Sequence, residues 1–319
     1  MEASPSGALD WVLDKSVVLG YSAIGPALRR RWWPGDPPAG ALAGRTVVVT
    51  GGSGGLGLAA ATGLARLGAD VHLVGRSAER LDQARGAVLA GLPGASVHTA
   101  VCDVSDLEAV EAFCSDLNGR VESLHALVHN AGVMPPRRTL SAQGHELALA
   151  THVLGPHLMT FRLADTLRGG RVIVVSSGGM YGQRLPTEDY EYARGEYSGV
   201  TAYARTKRMQ VVLAEQWATR LAEQDITVAS MHPGWADTPG VTDSLPRFAR
   251  VMGPVLRTPE EGADTVVWLA ATERELPGGL FWHDRRPRPT HYAPVGAETE
   301  QERRRLWEFV TAQTGVPQT

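Results

Sequence analysis

From residue 45 onward the chain alternates short, valine-rich apolar runs with longer stretches whose apolar positions recur at helical spacing. Apolar runs that lack a polar residue at every second position suit strands buried on both faces. Such strands belong to parallel sheets whose crossover helices cover both sides. The pattern predicts strands over 45–50, 71–75, 96–101, 124–129, 171–176, 226–231 and 279–282. It predicts helices over 56–67, 78–89, 106–117, 142–167 and 201–223, with a last one near 298–311. The expected fold is α/β, a doubly wound parallel seven-stranded sheet with helices on both faces.

The first forty or so residues do not follow this alternation. Trp11 to Leu28 is mostly apolar, and Arg29, Arg30, Arg31, Trp32 and Trp33 then lead into a linker rich in proline and glycine. A membrane span needs about 20 unbroken apolar residues, and Asp14, Lys15 and Pro26 interrupt this stretch. Acidic Glu2 and Asp10 do not suit a signal peptide. The simpler reading is a helix packed over the domain's own surface. The other is a segment lying in a bilayer interface, with apolar residues inserted and arginine and tryptophan at the boundary. The chain thus divides into an N-terminal extension (1–43) with helical potential, one domain (44–290) and a C-terminal tail with a helix (291–319). A length of 319 residues is compatible with a single α/β domain.

Composition narrows the function classes. Hydrophobic residues make up 43% and charged residues 20% of the chain, enough for a large core and unlike a disordered protein. A formal charge of -3 and a pI near 6.4 give no electrostatic reason to expect nucleic acid as a partner. Two cysteines, Cys102 and Cys114, fit a reducing compartment, and a cytoplasmic location is expected. The ten histidines form no HExxH and no cysteine stands in a CxxC, so no metal is expected.

The first strand runs into Thr50-Gly51-Gly52-Ser53-Gly54-Gly55-Leu56-Gly57 and then a helix. Glycines at this spacing let the backbone turn tightly and approach a pyrophosphate, whose charge the helix N-terminus then meets. In the common dinucleotide fold a carboxylate at the end of the second strand binds the adenosine ribose of NAD. Here the chain reads Leu73-Val74-Gly75-Arg76-Ser77. A guanidinium at that place holds a 2′-phosphate, which a carboxylate repels, so Arg76 favours NADP(H) over NAD(H).

Tyr203-Ala204-Arg205-Thr206-Lys207 puts a phenol and an ammonium four residues apart, on one face of a predicted helix. A phenol with a pKa of about 10 is a poor base near neutrality, so a neighbouring cation that favours phenolate is what proton exchange requires. Tyr181, Tyr190, Tyr192 and Tyr197 compete for the same role. Upstream, Ser176 and Ser177 end an apolar strand, where a hydroxyl faces the ligand crevice of an open α/β sheet.

TGxxxGxG, then Asn130-Ala131-Gly132 after the fourth strand, then a serine, then YxxxK, resembles the short-chain dehydrogenase/reductase family over about residues 44 to 290. The runs from Arg171 to Met180 and from Met231 to Val241 further resemble its member-12 branch, neighbour to the retinol-dehydrogenase-like enzymes. The resemblance implies a Rossmann-type fold and a residue-by-residue assignment. Ser177 would polarise the substrate carbonyl, Tyr203 would exchange the proton, and Lys207 would also bond the nicotinamide ribose. Gly51, Ser53, Gly54, Gly55, Leu56 and Gly57 would hold the pyrophosphate, with Asn130, Ala131 and Gly132 beside the adenosine and ribose. Asp103 and Val104 would border the adenine, and Pro233, Gly234 and Thr238 would frame the nicotinamide. Asp103 as a helix cap and Pro233-Gly234 as a plain turn are the alternatives.

In that family an asparagine stands three residues before a glycine in the long helix after the NAG motif. Here, in His152-Val153-Leu154-Gly155, it is histidine. The family's asparagine holds a water that relays protons to the lysine, so His152 is a candidate for that post, with an altered pH dependence. A core or surface histidine is the equal alternative. The long connection between Ser177 and Tyr203, together with Leu245, Phe248, Val251, Met252 and Val255, reads as a lid over a lipophilic carbonyl or alcohol, or as packing on the sheet edge.

The leading expectation is an NADP(H)-dependent oxidoreductase that interconverts a carbonyl and an alcohol on a small, lipophilic substrate. A nucleotide-binding scaffold or redox sensor with little turnover is the alternative, and His152 and the unusual N-terminus keep it open. A membrane surface met through the extension is compatible with either. Family habit implies a homo-oligomer, and the terminal additions leave a monomer open.

Overall fold

The computed structural model describes residues 5–237, 250, 252–292 and 296–317. Thr46–Thr50 (β1), Asp70–Gly75 (β2), Val97–Val101 (β3), Ala126–His129 (β4), Arg171–Val175 (β5), Thr227–Met231 (β6), Phe281–His283 (β7) and Arg286–Arg288 (β8) form one sheet. Their order is β3-β2-β1-β4-β5-β6-β7-β8. The first seven are parallel and correspond to the seven expected strands, with ends moved by a residue or two.

The eighth strand was not expected. Arg286-Pro287-Arg288 has no apolar run to announce it, and it pairs antiparallel with β7 across the two-residue turn Asp284-Arg285. Both turn residues have positive φ, 51° and 56°, the geometry of a type I′ hairpin. Its central proline is tolerated because the strand is at the sheet edge.

Alternate residues of the central strands enter two different cores, which is why the runs are apolar throughout. Val48, Val74, Leu127, Val172, Val174 and Val228 pack on one face. Val47, Val49, Val71, Leu73, Val128 and Ile173 pack on the other. Gly55–Arg66 (α4), Ala78–Gly91 (α5) and Pro259–Ala271 (α10) cover the second face. Leu107–Arg120 (α6), Gly155–Arg162 (α8), Gly199–Arg220 (α9) and Glu300–Thr314 (α11) cover the first. Leu306, Trp307 and Val310 of α11 are core residues, so the C-terminal helix completes this layer.

The expected helix over 142–167 is shorter and broken. It comprises Leu147–Leu149 (α7), a π-helical turn over Ala150–Leu154, and α8. Pro156 explains the break. Proline has no N–H for the carbonyl four residues back and clashes with it. That carbonyl belongs to His152, and the Gln210 side-chain amide takes it instead, at 2.8 Å. Helix α10 lies outside the sequence expectations, although Thr258 and Glu261 form a capping box around Pro259 at its first turn.

The N-terminal extension folds into Pro5–Lys15 (α1), Val17–Tyr21 (α2) and Ile24–Arg29 (α3). Arg29, fully buried, ties it to the β7–β8 turn by ion pairs to Asp10 (2.8 Å) and Asp284 (2.6 Å).

Candidate active site

At the end of β1 the chain turns through Gly51, whose φ is +67°. A Cβ at Gly51 would stand 2.9 Å from the Ala131 Cα, and one at Gly57 would enter the Gly51 carbonyl. Asn130 splints this turn. Its Nδ2 donates to the carbonyls of Thr50 (3.0 Å) and Gly51 (3.3 Å). The Asn130 and Ala131 amides donate to Thr50 Oγ1, which itself donates to the Val128 carbonyl. Ser53, Gly54, Gly55 and Leu56 open α4, and no side chain caps the helix at Gly54. Its first amides are therefore presented to whatever anion approaches.

Arg76 follows β2 and is exposed. Ser77 caps α5 by accepting from the Arg80 amide at 3.3 Å, which leaves Arg76 out of the cap. The Arg80 guanidinium lies 3.5 Å from where a Cβ on Gly54 would stand. Sequence reasoning missed Arg80. Its signal was position, one helical turn after Arg76. After β3, Asp103 accepts from the amide and hydroxyl of Ser105 at 2.9 and 2.7 Å, and Asp106, not Asp103, caps α6. A Cβ on Gly155 would enter the Val104 carbonyl, so α8 presses on this loop.

Ser176 and Ser177 differ sharply. The Ser176 hydroxyl donates to the Lys207 carbonyl at 2.8 Å and is buried, so it joins β5 to α9. Ser177 is half-buried, caps the short turn Gly178–Gly182 at Gly179 (3.1 Å), and hydrogen-bonds Tyr203. Lys207 is 3% exposed. Its Nζ donates to the Val175 carbonyl at 2.9 Å and lies 5.4 Å from the centroid of the Tyr203 ring. Burial pushes the Tyr203 phenol up, opposed by the Ser177 hydrogen bond. Burial pushes the Lys207 ammonium down to about 7.

The rival tyrosines are engaged elsewhere. Tyr181 donates to the Pro289 carbonyl, Tyr192 to the Glu196 carbonyl and Tyr197 to Glu146, while Tyr190 stacks on Phe309.

His152 lies beside Tyr203, ring edge to ring face, with centroids 5.4 Å apart. The Val133 amide donates to its Nε2 at 3.0 Å, so Nε2 is an acceptor and the proton sits on Nδ1. Nδ1 then donates to Thr206 Oγ1 at 2.8 Å, and that hydroxyl donates onward to the carbonyls of Ala202 and Tyr203. Burial, helped by the Lys207 charge, holds the imidazole well below its usual range. Both ring nitrogens are thus committed to joining the NAG segment to α9.

Pro233 and Gly234 follow β6. Gly234 has φ +76°, and a Cβ there would enter the Arg257 guanidinium and approach the Tyr21 carbonyl to 2.6 Å. Thr238, Leu245, Phe248 and Val251 lie outside the described residues. Sequence reasoning did not foresee that the extension reaches this loop, since Arg257 and Tyr21 carry no local motif.

Asp70, His72 and His98 bring three ligand-type atoms together at the N-terminal end of β2 and β3, the edge remote from Ser177. Neither imidazole has its second nitrogen held by a protein group among the described residues, the support a resident metal site ordinarily has. The Asp70 carboxylate accepts from Ser96 and lies close to both imidazoles, and burial favours the neutral form of His72.

The glycine turn at the carboxyl end of β1 and the Ser177, Tyr203 and Lys207 group at the carboxyl end of β5 define a Rossmann-type dinucleotide-binding oxidoreductase. The sequence profile of the short chain dehydrogenases matches residues 45–247. Dehydrogenase/reductase SDR family member 12 of Homo sapiens is 39% identical over 255 residues, 78% of this chain and 80% of its own. Polyprenol dehydrogenase of Mus musculus is 33% identical over 294 residues, covering 86% and 84%. A short chain dehydrogenase of Burkholderia cenocepacia solved with NADP is similar at a TM-score of 0.62 and 25% identity, over 76% of this chain and 96% of that one. The chain belongs to the short-chain dehydrogenase/reductase family.

Proposed function

We propose that the protein interconverts a carbonyl and an alcohol on a small lipophilic substrate with NADP(H). The observation that carries this reading is the meeting of Ser177, Tyr203 and Lys207 beside the glycine turn. The cradle fits a dinucleotide: Gly51 and Gly57 leave no room for a side chain, the first amides of α4 are uncapped, and Arg76 and Arg80 have no side-chain partner among the described residues. When bound, the nicotinamide supplies or takes the hydride.

The chain's own residues do the rest. Ser177 donates to the substrate oxygen and orients it. Tyr203 gives its phenolic proton to that oxygen in reduction and takes it back in oxidation. Lys207 would bond the ribose of the bound cofactor, and its charge would stabilise the phenolate. Arg76 would hold the 2′-phosphate, with Arg80 as a second cation near Gly54. His152 serves by position, holding α9 against the NAG segment in a fixed tautomer. The similarity to a polyprenol dehydrogenase supports a lipophilic substrate. An NADPH-oxidation assay over lipophilic aldehydes and ketones tests the reading. Turnover that prefers NADPH to NADH and vanishes in Tyr203→Phe supports it, whereas NADPH binding without turnover of any carbonyl favours the scaffold.

A membrane-surface role has its own observation. No helix among the described residues is long and apolar enough to cross a membrane. Yet six of the nine large apolar side chains exposed among them are Leu9, Trp11, Val12, Val18, Leu19 and Ile24. Asp10 and Asp14 turn inward, while Lys15, Arg30 and Arg31 stay outside. An apolar face rimmed by cations suits the interface of an anionic bilayer. Flotation with phosphatidylserine vesicles that is lost in Trp11→Glu/Leu19→Glu supports this, and equal flotation removes it.

A further inference from the structure

We infer that the N-terminal arm is one wall of the active site, and that Tyr21 is the positioning residue through which it fixes both the loop after Ser177 and the Pro233-Gly234 loop. The inference rests on the proposed reaction for its kinetic readout alone. Tyr21 is 3% exposed. Its ring covers Gly178, the neighbour of Ser177, so closely that a Cβ there would enter the ring. The same ring lies 4.5 Å from His232 and 5.9 Å, edge-on, from Trp235. Its carbonyl accepts from the Trp235 amide at 2.8 Å and from Arg257 Nε at 2.9 Å. One residue therefore holds both loops, one by its side chain and the other by side chain and main chain together.

Tyr21 is itself firmly placed. The carbonyls of Gly20, Tyr21 and Ser22, at the end of α2, all accept from Arg257. Arg257 pairs with Asp284 at 2.6 Å, and Asp284 with Arg29 of the arm. A cation on the last carbonyls of a helix satisfies groups the helix itself cannot. Close-packed rings transmit displacement rather than absorb it. A shift of about 1 Å at a reacting group costs on the order of 100-fold in rate, so losing this wall is felt at Ser177.

The test uses full-length protein carrying Tyr21→Leu, with NADPH affinity, kcat and KM for a carbonyl, the isotope effect of deuterated NADPH, and hydrogen exchange of residues 176–182 and 230–237. We expect kcat to fall about tenfold or more, a larger isotope effect, and faster exchange in both segments. NADPH affinity should change less than kcat, because the glycine turn and Arg76 are untouched and only the Pro233-Gly234 loop is loosened. Tyr21→Phe, which keeps the ring, should recover the rate. Gly178→Ala should lose activity from the other side of the contact and regain part of it when combined with Tyr21→Leu. Tyr21→Leu with kcat, KM and exchange all unchanged overturns the inference. Should that variant not fold, Gly178→Ala with unchanged kcat and exchange overturns it equally. A wild type that reduces no carbonyl defeats the proposed reaction, and the exchange comparison then decides the inference alone.

Discussion

Two of the places where a glycine is closely approached in this molecule are held in opposite ways. At Gly51 and Gly57 the close approach is made by residues of one strand-to-helix turn and by Asn130 from the neighbouring strand's end, through uncharged hydrogen bonds. At Gly178 and Gly234 it is made by Tyr21 and Arg257, and the contact is secured by buried charges far apart in sequence: Arg29 and Asp284 are separated by 255 residues. The first arrangement joins two adjacent strand ends and leaves the first amides of α4 without a side-chain cap. The second is reached across far longer stretches of chain and packs protein against both glycines. On the proposed reading the cofactor side is a cradle formed within the domain, and the substrate side is completed by the arm.

The largest effect should come from chemistry that needs both sides. Tyr203→Phe removes the proton donor without disturbing the fold and is expected to lower kcat by about 10³-fold with NADPH binding retained. A rate within tenfold of wild type would move the acid to another group and dissolve the site as drawn. Nearly as large, in stability rather than rate, is Arg29→Met. It leaves Asp10 facing Arg288 and Arg286 alone and strips Asp284 of one of its two arginines. Breaking a buried ion pair costs about 3–5 kcal/mol. Chemical denaturation should show that loss, and limited proteolysis should cut first within residues 5–33. An unchanged midpoint would mean the charges do not secure the arm.

This contrast also explains what was legible in the sequence. The glycine turn, Arg76, Tyr203 and Lys207 lie in short windows whose period or spacing encodes their geometry, and the seven parallel strands announce themselves by apolar runs. Strand β8 does not, because Arg286-Pro287-Arg288 takes its pairing from the turn before it. The π-helical turn at His152 was hidden in a residue type, since it follows from Pro156 four positions on. Helix α10 had a readable capping box that the apolar pattern overshadowed. The arm was the least legible. Asp10, Arg29, Arg257 and Asp284 look like ordinary surface charges until the fold brings them together.

On the cofactor side the effects should be smaller and independent of the arm. Arg76→Ala is expected to raise KM for NADPH about tenfold, or about 1.4 kcal/mol, with NADH little changed. Thermal stability without cofactor should not move, because Arg76 is exposed and has no side-chain hydrogen bond or ion pair among the described residues. An equal loss for both cofactors would take the 2′-phosphate away from Arg76 and leave Arg80 as its partner.

The finest discrimination between the two sides is by pH, because they titrate in separate windows. Lys207 is pushed down to about 7 by burial, from an ordinary 10.5, so between those values the folded protein binds fewer protons than the unfolded chain. Stability without cofactor then rises with pH across that window, by at most about 1.4 kcal/mol per pH unit, and Lys207→Met should flatten the rise. Around the arm the slope has the same sign, but its window is acidic. Burial alone would raise the Asp284 carboxyl, and His283, Arg257 and Arg29 together hold it below its ordinary 3.8. Asp10 is likewise held down, by Arg288, Arg29 and Arg286 against its own burial. That stability is present in full above the ordinary carboxylate range and is lost only as pH falls below it. Denaturation midpoints measured from pH 3 to 10 should therefore show an acid limb that Arg29→Met alters and Lys207→Met does not, and an alkaline rise with the dependence exchanged. If one variant altered both limbs, the cradle and the arm would be a single cooperative unit, and the docked wall would be as permanent as the turn it faces.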